Sequence, residues 1–309
     1  MSKILIVCSG NHERISTFIT EQVDSLSKLG YEFEYFYIKG KGLTGYLGNI
    51  SELKKKIKTN NYSFIHAHFG LSGLLANLQR KLPVITTYHG SDVHFLKFRL
   101  LSIICSRLSV YNILTNKRQI KQLYLQYKKD NFSVIKCGID TNVFRPMVAD
   151  VLRKKYGYTS TEILVLFSSS FKRKVKNADL AKSAVSLIDR ARLIELNGYS
   201  REQVAELINI ANVVLVTSKY ETGPLIVKEA LSCNTPVVST DVGDVSEVLR
   251  NLENCYIVSN DSEKIAETIK SVIKNSKHEK KYRKQIQKFD LKIVANKISG
   301  VYQRILGSI

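Results

Sequence analysis

The chain has 309 residues, 44% of them hydrophobic, with 47 basic against 27 acidic side chains and a net charge of +20. That length fills more than one core and favours two domains of about 150 residues each, while no apolar run approaches the roughly 20 residues of a membrane span. The opening Met-Ser-Lys-Ile-Leu-Ile-Val enters a strand at once and lacks the regions of a signal peptide; Cys8, Cys105, Cys137, Cys233 and Cys255 are odd in number and form no Cys-x-x-Cys pair. A cytosolic protein with reduced thiols is expected, and a disulfide framework or a zinc site is excluded.

The charge is uneven. Residues 1–50 carry 5 basic and 5 acidic side chains, residues 51–150 carry 16 against 5, and residues 151–309 carry 26 against 17. A basic field of this size favours an anionic partner, whether nucleic acid, an anionic membrane surface or a phosphorylated substrate; the alternative is lysines spread over solvated faces.

In chain order, Lys3 to Cys8 reads as a buried strand, Ser9-Gly10-Asn11 as a turn, and Ile15 to Leu29 as a helix with Phe18, Ile19, Val23, Leu26 and Leu29 on one side. Gly10 lets the backbone pass close to a ligand at the mouth of a sheet, or simply makes a tight turn. After the strand Glu32 to Ile38 comes Gly40-Lys-Gly42-Leu-Thr-Gly45, a literal dinucleotide-binding pattern. It follows the second strand, however, and the helical segment Ser51 to Lys58 starts later, so it reads as a mobile loop.

Phe64-Ile-His66-Ala-His68-Phe-Gly70 puts two histidines on one face of a strand end, and Tyr88-His89-Gly-Ser-Asp92-Val-His94 follows the strand Val84 to Thr87. Neighbouring histidine clusters raise a metal site. Gly70 and Leu71 stand where a His-x-His-x-Asp-His run needs Asp and His, so no metal is expected. His66 reads either as a site residue or as a hydrogen-bonded structural histidine. Phe95 to Leu108 is a helix rich in Leu, Ile and Phe that carries Lys97, Arg99 and Arg107, suited to a core or to a membrane interface. The Lys54 to Lys58 patch reads as a solvated helix face. Tyr111 to Thr115, a helix from Lys117 and Phe132 to Lys136 complete the first domain.

Gly138 and Pro146 punctuate a linker, Lys136 to Pro146, where the apolar rhythm stops. The strand Ile163 to Phe167 then leads through Lys172, Arg173, Lys174, Lys176 and Asn177 to a helix from Ala178. Four cations at one turn need an anion or must splay into water; a helix N-terminus suits a diphosphate. Ala191 to Leu196 is a strand, Asn197-Gly198-Tyr199 a turn and Arg201 to Ile210 a helix. Ala211 to Thr217 is a buried strand, Gly223-Pro224 opens a helix running to about Ser232, and Val237 to Thr240 is the next strand. Helices rich in Lys and Glu fill 261–288, and an amphipathic helix runs from Phe289 to Leu306. Glu221 in the loop and Glu229 about two turns along the helix reach different parts of one elongated ligand, or both sit in solvent.

Ser218-x-x-Glu221-x-x-Pro224-x-x-x-x-Glu229-Ala230, followed by Pro236-Val-Val-Ser-Thr240 and Gly243-Asp244-Val245, resembles the nucleotide-sugar site of the family 4 retaining glycosyltransferases of the GT-B fold, of bacterial surface-polysaccharide type. The linker's Gly138-Ile-Asp140-x-x-x-Phe144-x-Pro146 resembles the family's crossing between domains. The resemblance implies two Rossmann-like α/β/α domains facing each other across a deep cleft. Residues 1–146 would form the acceptor domain and residues 147–289 the nucleotide-sugar domain, with 290–309 a terminal helix packing back on the first. It assigns Glu221 to the donor-sugar hydroxyls and Glu229 to the ribose. Arg173 and Lys176 would hold the diphosphate in place of a metal, with Lys172 as the alternative to Arg173, and His89 would lie in the sugar pocket. Gly10, Gly223, Pro224, Leu225 and Ile226 join the donor site; His66, His68 and Asp92 line the acceptor cleft.

The chain departs from the family in lacking the Gly-Arg pair before the basic loop and in having Leu225 beside the donor. The activity that the resemblance implies is metal-independent hexosyl transfer from a nucleotide sugar, with UDP as nucleotide in the family's manner. The implied acceptor is a glycan or lipid-linked glycan in capsule, exopolysaccharide or cell-wall synthesis; the basic excess of residues 51–150, separately, suggests an anionic membrane surface as a further partner. The alternatives are a sugar-nucleotide epimerase on the same fold and a non-catalytic nucleic-acid-binding protein; against the latter, no nucleic-acid module is recognisable.

Overall fold

In the computed structural model, which describes residues 2–11, 15–127, 130–275 and 282–308, the first strand shows how each sheet is built. In β1 (Lys3–Ser9), Ile4, Ile6 and Cys8 enter one hydrophobic cluster while Leu5 and Val7 enter another. Side chains alternate across a strand, so an unbroken apolar run must be covered on both faces, the condition of a parallel sheet between two helical layers. β1 lies in a six-stranded sheet with β2 (Glu32–Ile38), β3 (Phe64–His68), β4 (Val84–Tyr88), β5 (Tyr111–Leu114) and β6 (Phe132–Val134), in the order β2-β1-β3-β4-β5-β6. Every pairing in it is parallel.

The second sheet repeats the plan. β7 (Ile163–Phe167) sends Leu164 and Leu166 into one cluster and Val165 and Phe167 into another. With β8 (Ala191–Ile194), β9 (Val213–Val216), β10 (Val237–Thr240) and β11 (Tyr256–Val258) it forms a parallel sheet in the order β11-β10-β9-β7-β8. Both sheets are thus doubly wound, and each reverses its strand order beside its own first strand, between β1 and β3 and between β7 and β9. Loops leaving the carboxyl ends of those strands splay apart and form the ligand crevice of such sheets.

The chain divides into two compact units, unit 1 being Met1–Gly138 with Leu291–Ile309 and unit 2 being Ile139–Asp290. The first division falls inside the expected 136–146 linker. Within unit 2 the two crossing points lie side by side: Ile139 bridges Asp290, and the Thr141 hydroxyl donates to the Asp290 carboxylate at 2.5 Å. Arg283 donates to the Thr141 and Phe144 carbonyls at 2.7 Å each. The terminal helix Leu291–Leu306 belongs to unit 1, where Val294, Ile298, Val301, Tyr302 and Ile305 join Ile4, Ile6 and Val23 in one cluster. Part of the expected 261–288 helical stretch, residues 276–281, lies outside the described residues.

One expectation is corrected. The Gly40–Gly45 stretch is a loop only at Gly40 and Lys41: a helix spans Gly42–Leu47, followed by another over Ile50–Thr59. Asn49 closes it, its side-chain amide donating to Gly45 O at 2.7 Å and Lys39 O at 2.8 Å while its oxygen accepts from Lys39 N–H at 3.1 Å. The glycines serve each other, since a Cβ on Gly45 would stand 2.7 Å from the Gly40 carbonyl carbon. Close backbone packing, and not a phosphate cradle, explains their spacing.

Candidate active site

In unit 2 the loop after β7 meets the loop after β9. Lys176 closes a short 3-10 turn, Lys174–Lys176, and the Thr217 hydroxyl donates to its carbonyl at 2.9 Å. Lys219 N–H donates to Val175 O at 2.9 Å, so the two loops are stitched together by backbone. This brings Lys176, 7% exposed, against Glu221, whose Oε1 accepts from both the Lys176 ammonium and the Ser218 hydroxyl, the latter at 2.9 Å. The four cations separate: Lys172, Arg173 and Lys174 are exposed and Lys176 alone is buried with a carboxylate. Asn177 follows with φ of 54°, a left-handed residue that turns the chain into helix Ala178–Ser186.

The helix carrying Glu229 spans Leu225–Ser232 with Pro224 as its cap residue, two residues later than Gly223 suggested. Glu229 is 2% exposed, and its Oε1 lies 2.8 Å from the Arg201 guanidinium, which packs over the Phe144 ring at 4.5 Å. Burial pushes the Glu229 carboxyl above its ordinary range, against the pull of Arg201 and Lys228. Gly223 and Leu225 are half-buried and Pro224 and Ile226 buried at the start of this helix. Behind the loop stands Gly243, with φ of 59°; a Cβ there would meet Thr222 O at 2.6 Å, so only glycine lets the Glu221–Gly223 backbone settle. Lys228 and Asp244, 2% and 5% exposed, approach to 3.9 Å under the same loop.

Unit 1 places different chemistry at its own switch point. His66 is fully buried; its Nδ1 is 2.6 Å from the Tyr302 hydroxyl and its Nε2 is 2.7 Å from the Thr87 hydroxyl, so both ring nitrogens are engaged. It stacks on His68 at 4.5 Å, and His68 Nδ1 is 3.0 Å from His89 Nε2. Burial drives the His68 imidazole down to about 3, and burial with neighbouring imidazoles holds His66 and His89 well below the usual histidine value. The stack is therefore neutral. His89, half-buried, is packed by Phe18 and Phe69 at 4.6 and 4.7 Å.

Asp92, 6% exposed, ties two turns together, accepting from Gly70 N–H at 2.9 Å and Gly90 N–H at 2.7 Å. Burial raises its carboxyl to about 6 in spite of those bonds. Gly10 is exposed; its N–H donates to Ile38 O at 2.8 Å, and a Cβ there would stand 2.8 Å from Tyr37 Cβ. Beside these turns a cavity of about 420 Å³ is lined by Ile15, Ile19, Phe69, Leu71, Phe95 and Phe98, with Ser9 and Asp92 among its polar groups. Phe69 adopts φ of 73°, a costly conformation for a bulky side chain, at the turn that lines this cavity.

Residues 16–143 match the family described as Glycosyltransferase Family 4, and residues 190–289 match Glycosyl transferases group 1. The chain belongs to the family 4 glycosyltransferases. Their GT-B architecture is the one seen here: the sucrose-phosphate synthase of Thermosynechococcus elongatus superposes with a TM-score of 0.87 over 100% of both chains at 16% identity. HepE of Anabaena, solved with UDP-glucose, gives 0.82 over 98% of this chain and 100% of its own at 14% identity. Among curated relatives, the N-acetyl-alpha-D-glucosaminyl L-malate synthase of Bacillus anthracis is 21% identical over 67% of this chain and 64% of its own length. The putative teichuronic acid biosynthesis glycosyltransferase TuaC of Bacillus subtilis is 24% identical over 66% and 60%. The chain spans about three fifths of the length of such relatives.

For this family 4 glycosyltransferase, the sequence pattern marks both glutamates and Lys176 but not Arg201, the partner of Glu229. Arg201 opens an ordinary helix behind its Ser200 cap, and nothing in its spacing from Glu229 signals a pair. Tyr302, 236 residues from His66, carries no local signal at all.

Proposed function

We propose that the chain transfers a hexosyl group from a nucleoside diphosphate donor to a glycan or lipid-linked glycan, with retention at the anomeric carbon and without a metal ion. The observation that carries this reading is the buried Lys176–Glu221 pair at the unit 2 switch point, flanked by exposed Lys172, Arg173 and Lys174. A cation held by a carboxylate at that place is ready to exchange partners. An incoming diphosphate takes Lys176 and leaves Glu221 free to accept from sugar hydroxyls, so both groups gain interactions only when donor is bound.

In the transfer step the bond from anomeric carbon to the β-phosphate oxygen breaks and the acceptor oxygen bonds to that carbon from the same face. The acceptor's hydroxyl proton goes to the departing diphosphate. Lys176 and Arg173, with Lys172 as the alternative, stabilise the charge that builds on that leaving group, the work a divalent cation does elsewhere. Glu229 holds the ribose, and Arg201, packed on Phe144, keeps the Glu229 carboxylate aimed. The UDP-glucose complex of HepE supports uridine as the base. The putative role of TuaC in teichuronic acid biosynthesis supports a cell-wall, capsule or exopolysaccharide setting, which this reading puts in the cytosol. Among the described residues no helix is long and apolar enough to cross a membrane.

Calorimetric titration with UDP, GDP, ADP and CMP in chelator tests the donor site. UDP binding that is lost in Lys176→Ala and in Glu229→Ala is the expected result, and binding of none of the four would sink the reading. Once a donor is found, turnover unchanged by chelator and an α-linked product from an α-linked donor, read by NMR, check metal independence and retention.

A further inference from the structure

Lysine is almost never fully buried unless it is paired, yet Lys228 is 2% exposed on helix Leu225–Ser232, where every residue from Ile226 to Ser232 is buried. Its ammonium lies 3.9 Å from the Asp244 carboxylate and 5.0 Å over the Phe289 ring. At 3.9 Å the attraction to Asp244 is that of charge and not of a hydrogen bond. Asp244 in turn meets the loop that carries Glu221. A Cβ on Gly223 would stand 3.0 Å from Asp244 Oδ1, and one on Gly243, the residue before Asp244, 2.6 Å from Thr222 O. The carboxylate is therefore a floor on which the loop backbone rests.

The loop thus touches two ion pairs of different kind. Lys176 and Glu221 keep 9% and 17% of their side chains exposed, whereas Lys228 and Asp244 keep 2% and 3%. An anionic ligand can reach the first pair, and the second is dry. Stability does not explain the dry pair, because the desolvation of two charges offsets their attraction, and apolar residues of similar volume hold a fold at least as well. What such a pair supplies is a fixed place. A charge that leaves its partner in a dry site has no water to receive it, so the loop on Asp244 stays where it is while Lys176 changes partners.

We propose that Lys228 and Asp244 are positioning residues of the donor site, a dry ion pair that fixes the Glu221–Gly223 backbone for donor binding. Their effect on the loop stands by itself; its use for a donor rests on the glycosyl-transfer reading.

Lys228→Met with Asp244→Asn removes both charges with little change of shape. Either substitution alone leaves the other charge buried and should lower the urea midpoint, which the double variant should restore. In the double variant amide exchange at Tyr220 to Gly223 should quicken about tenfold, with β9 and β10 unchanged, and UDP should bind about tenfold more weakly. The pH profile adds a readout that a scaffold role would not move. Lys228 and Arg201 both pull down the Glu229 carboxyl that burial raises. Near it, burial and Glu229 push the Cys233 thiol up to about 12, and Arg283 is bonded to the Phe144 and Ser232 carbonyls. Without Lys228 the fall of UDP affinity in acid should begin at a higher pH than in the wild type, the ligand's own titration being common to both. Unchanged loop exchange overturns the proposal, and so does a loosened loop with UDP affinity and its pH profile unchanged. A urea midpoint that stays low in the double variant makes the pair structural only and overturns it as well. If the wild type binds none of UDP, GDP, ADP and CMP, the donor reading falls, and loop exchange alone decides this one.

Discussion

At its switch point unit 2 keeps charge, Lys176 against Glu221 and Arg201 against Glu229, whereas unit 1 at the corresponding place keeps three neutral imidazoles in a stack and one carboxylate surrounded by backbone N–H groups. The same sheet plan therefore carries two kinds of site. Paired charges exchange partners when an anionic ligand arrives, so the unit 2 arrangement suits a diphosphate. The desolvated imidazoles offer hydrogen bonds without charge, and Asp92 beside them borders an apolar cavity.

The comparison breaks most sharply if the unit 2 pairs are cut. Arg201→Ala leaves Glu229 buried without its guanidinium, and removal of one member of a buried pair costs about 3 kcal/mol or more. Urea unfolding of the variant should show that loss, together with loss of UDP binding; an unchanged midpoint would mean that Lys228 alone supports the carboxylate.

Acid should separate the two regions. In unit 1 the folded His68 titrates at about 3 and His66 and His89 well below the ordinary 6.5, so below 6.5 the unfolded chain takes up protons that the folded unit refuses, and stability falls as pH falls. Asp92 acts in the opposite direction, since its folded value of about 6 lies above the ordinary 3.8, and its contribution grows as pH falls through 6. The histidines outnumber it, and one pH unit below the ordinary histidine value unit 1 should have lost about 3 kcal/mol. Hydrogen exchange of the β3 and β4 amides against pH measures this, and a flat profile would mean that the stack charges in place.

The smallest expected effect belongs to Tyr302→Phe. It leaves the buried His66 Nδ1 without its hydroxyl and should cost about 1–2 kcal/mol, seen as faster exchange in β3. No change there would detach the terminal helix from the histidine stack.

Much of the fold is legible in the sequence, and so are the residue types that gather at the unit 2 switch point. β-branched and apolar runs mark β1, β7, β9 and β10, and the Glu221 to Glu229 block names the family. Two elements escape for physical causes. The glycines of Gly40–Gly45 argue for a loop because glycine weakens helices, yet Asn49, at a distance no pattern specifies, closes a helix there. The helix Leu96–Leu108 favours a core over a membrane interface from composition, yet Leu96, Leu100, Ile104 and Leu108 stay exposed, since periodicity shows that a helix has two faces but not which one turns inward.

What the sequence by itself determined was local: where strands and turns fall, which residues can ionise, and that the Glu221 to Glu229 block resembles that of the family. Which carboxylate meets which cation was decided only by the tertiary structure. The Lys176–Glu221 contact spans 45 residues, and the His66–Tyr302 contact spans 236. The loops after β7 and β9 become neighbours because those two strands pair side by side while β8 passes to the far edge, and an electrostatic pair forms at a few ångströms or not at all.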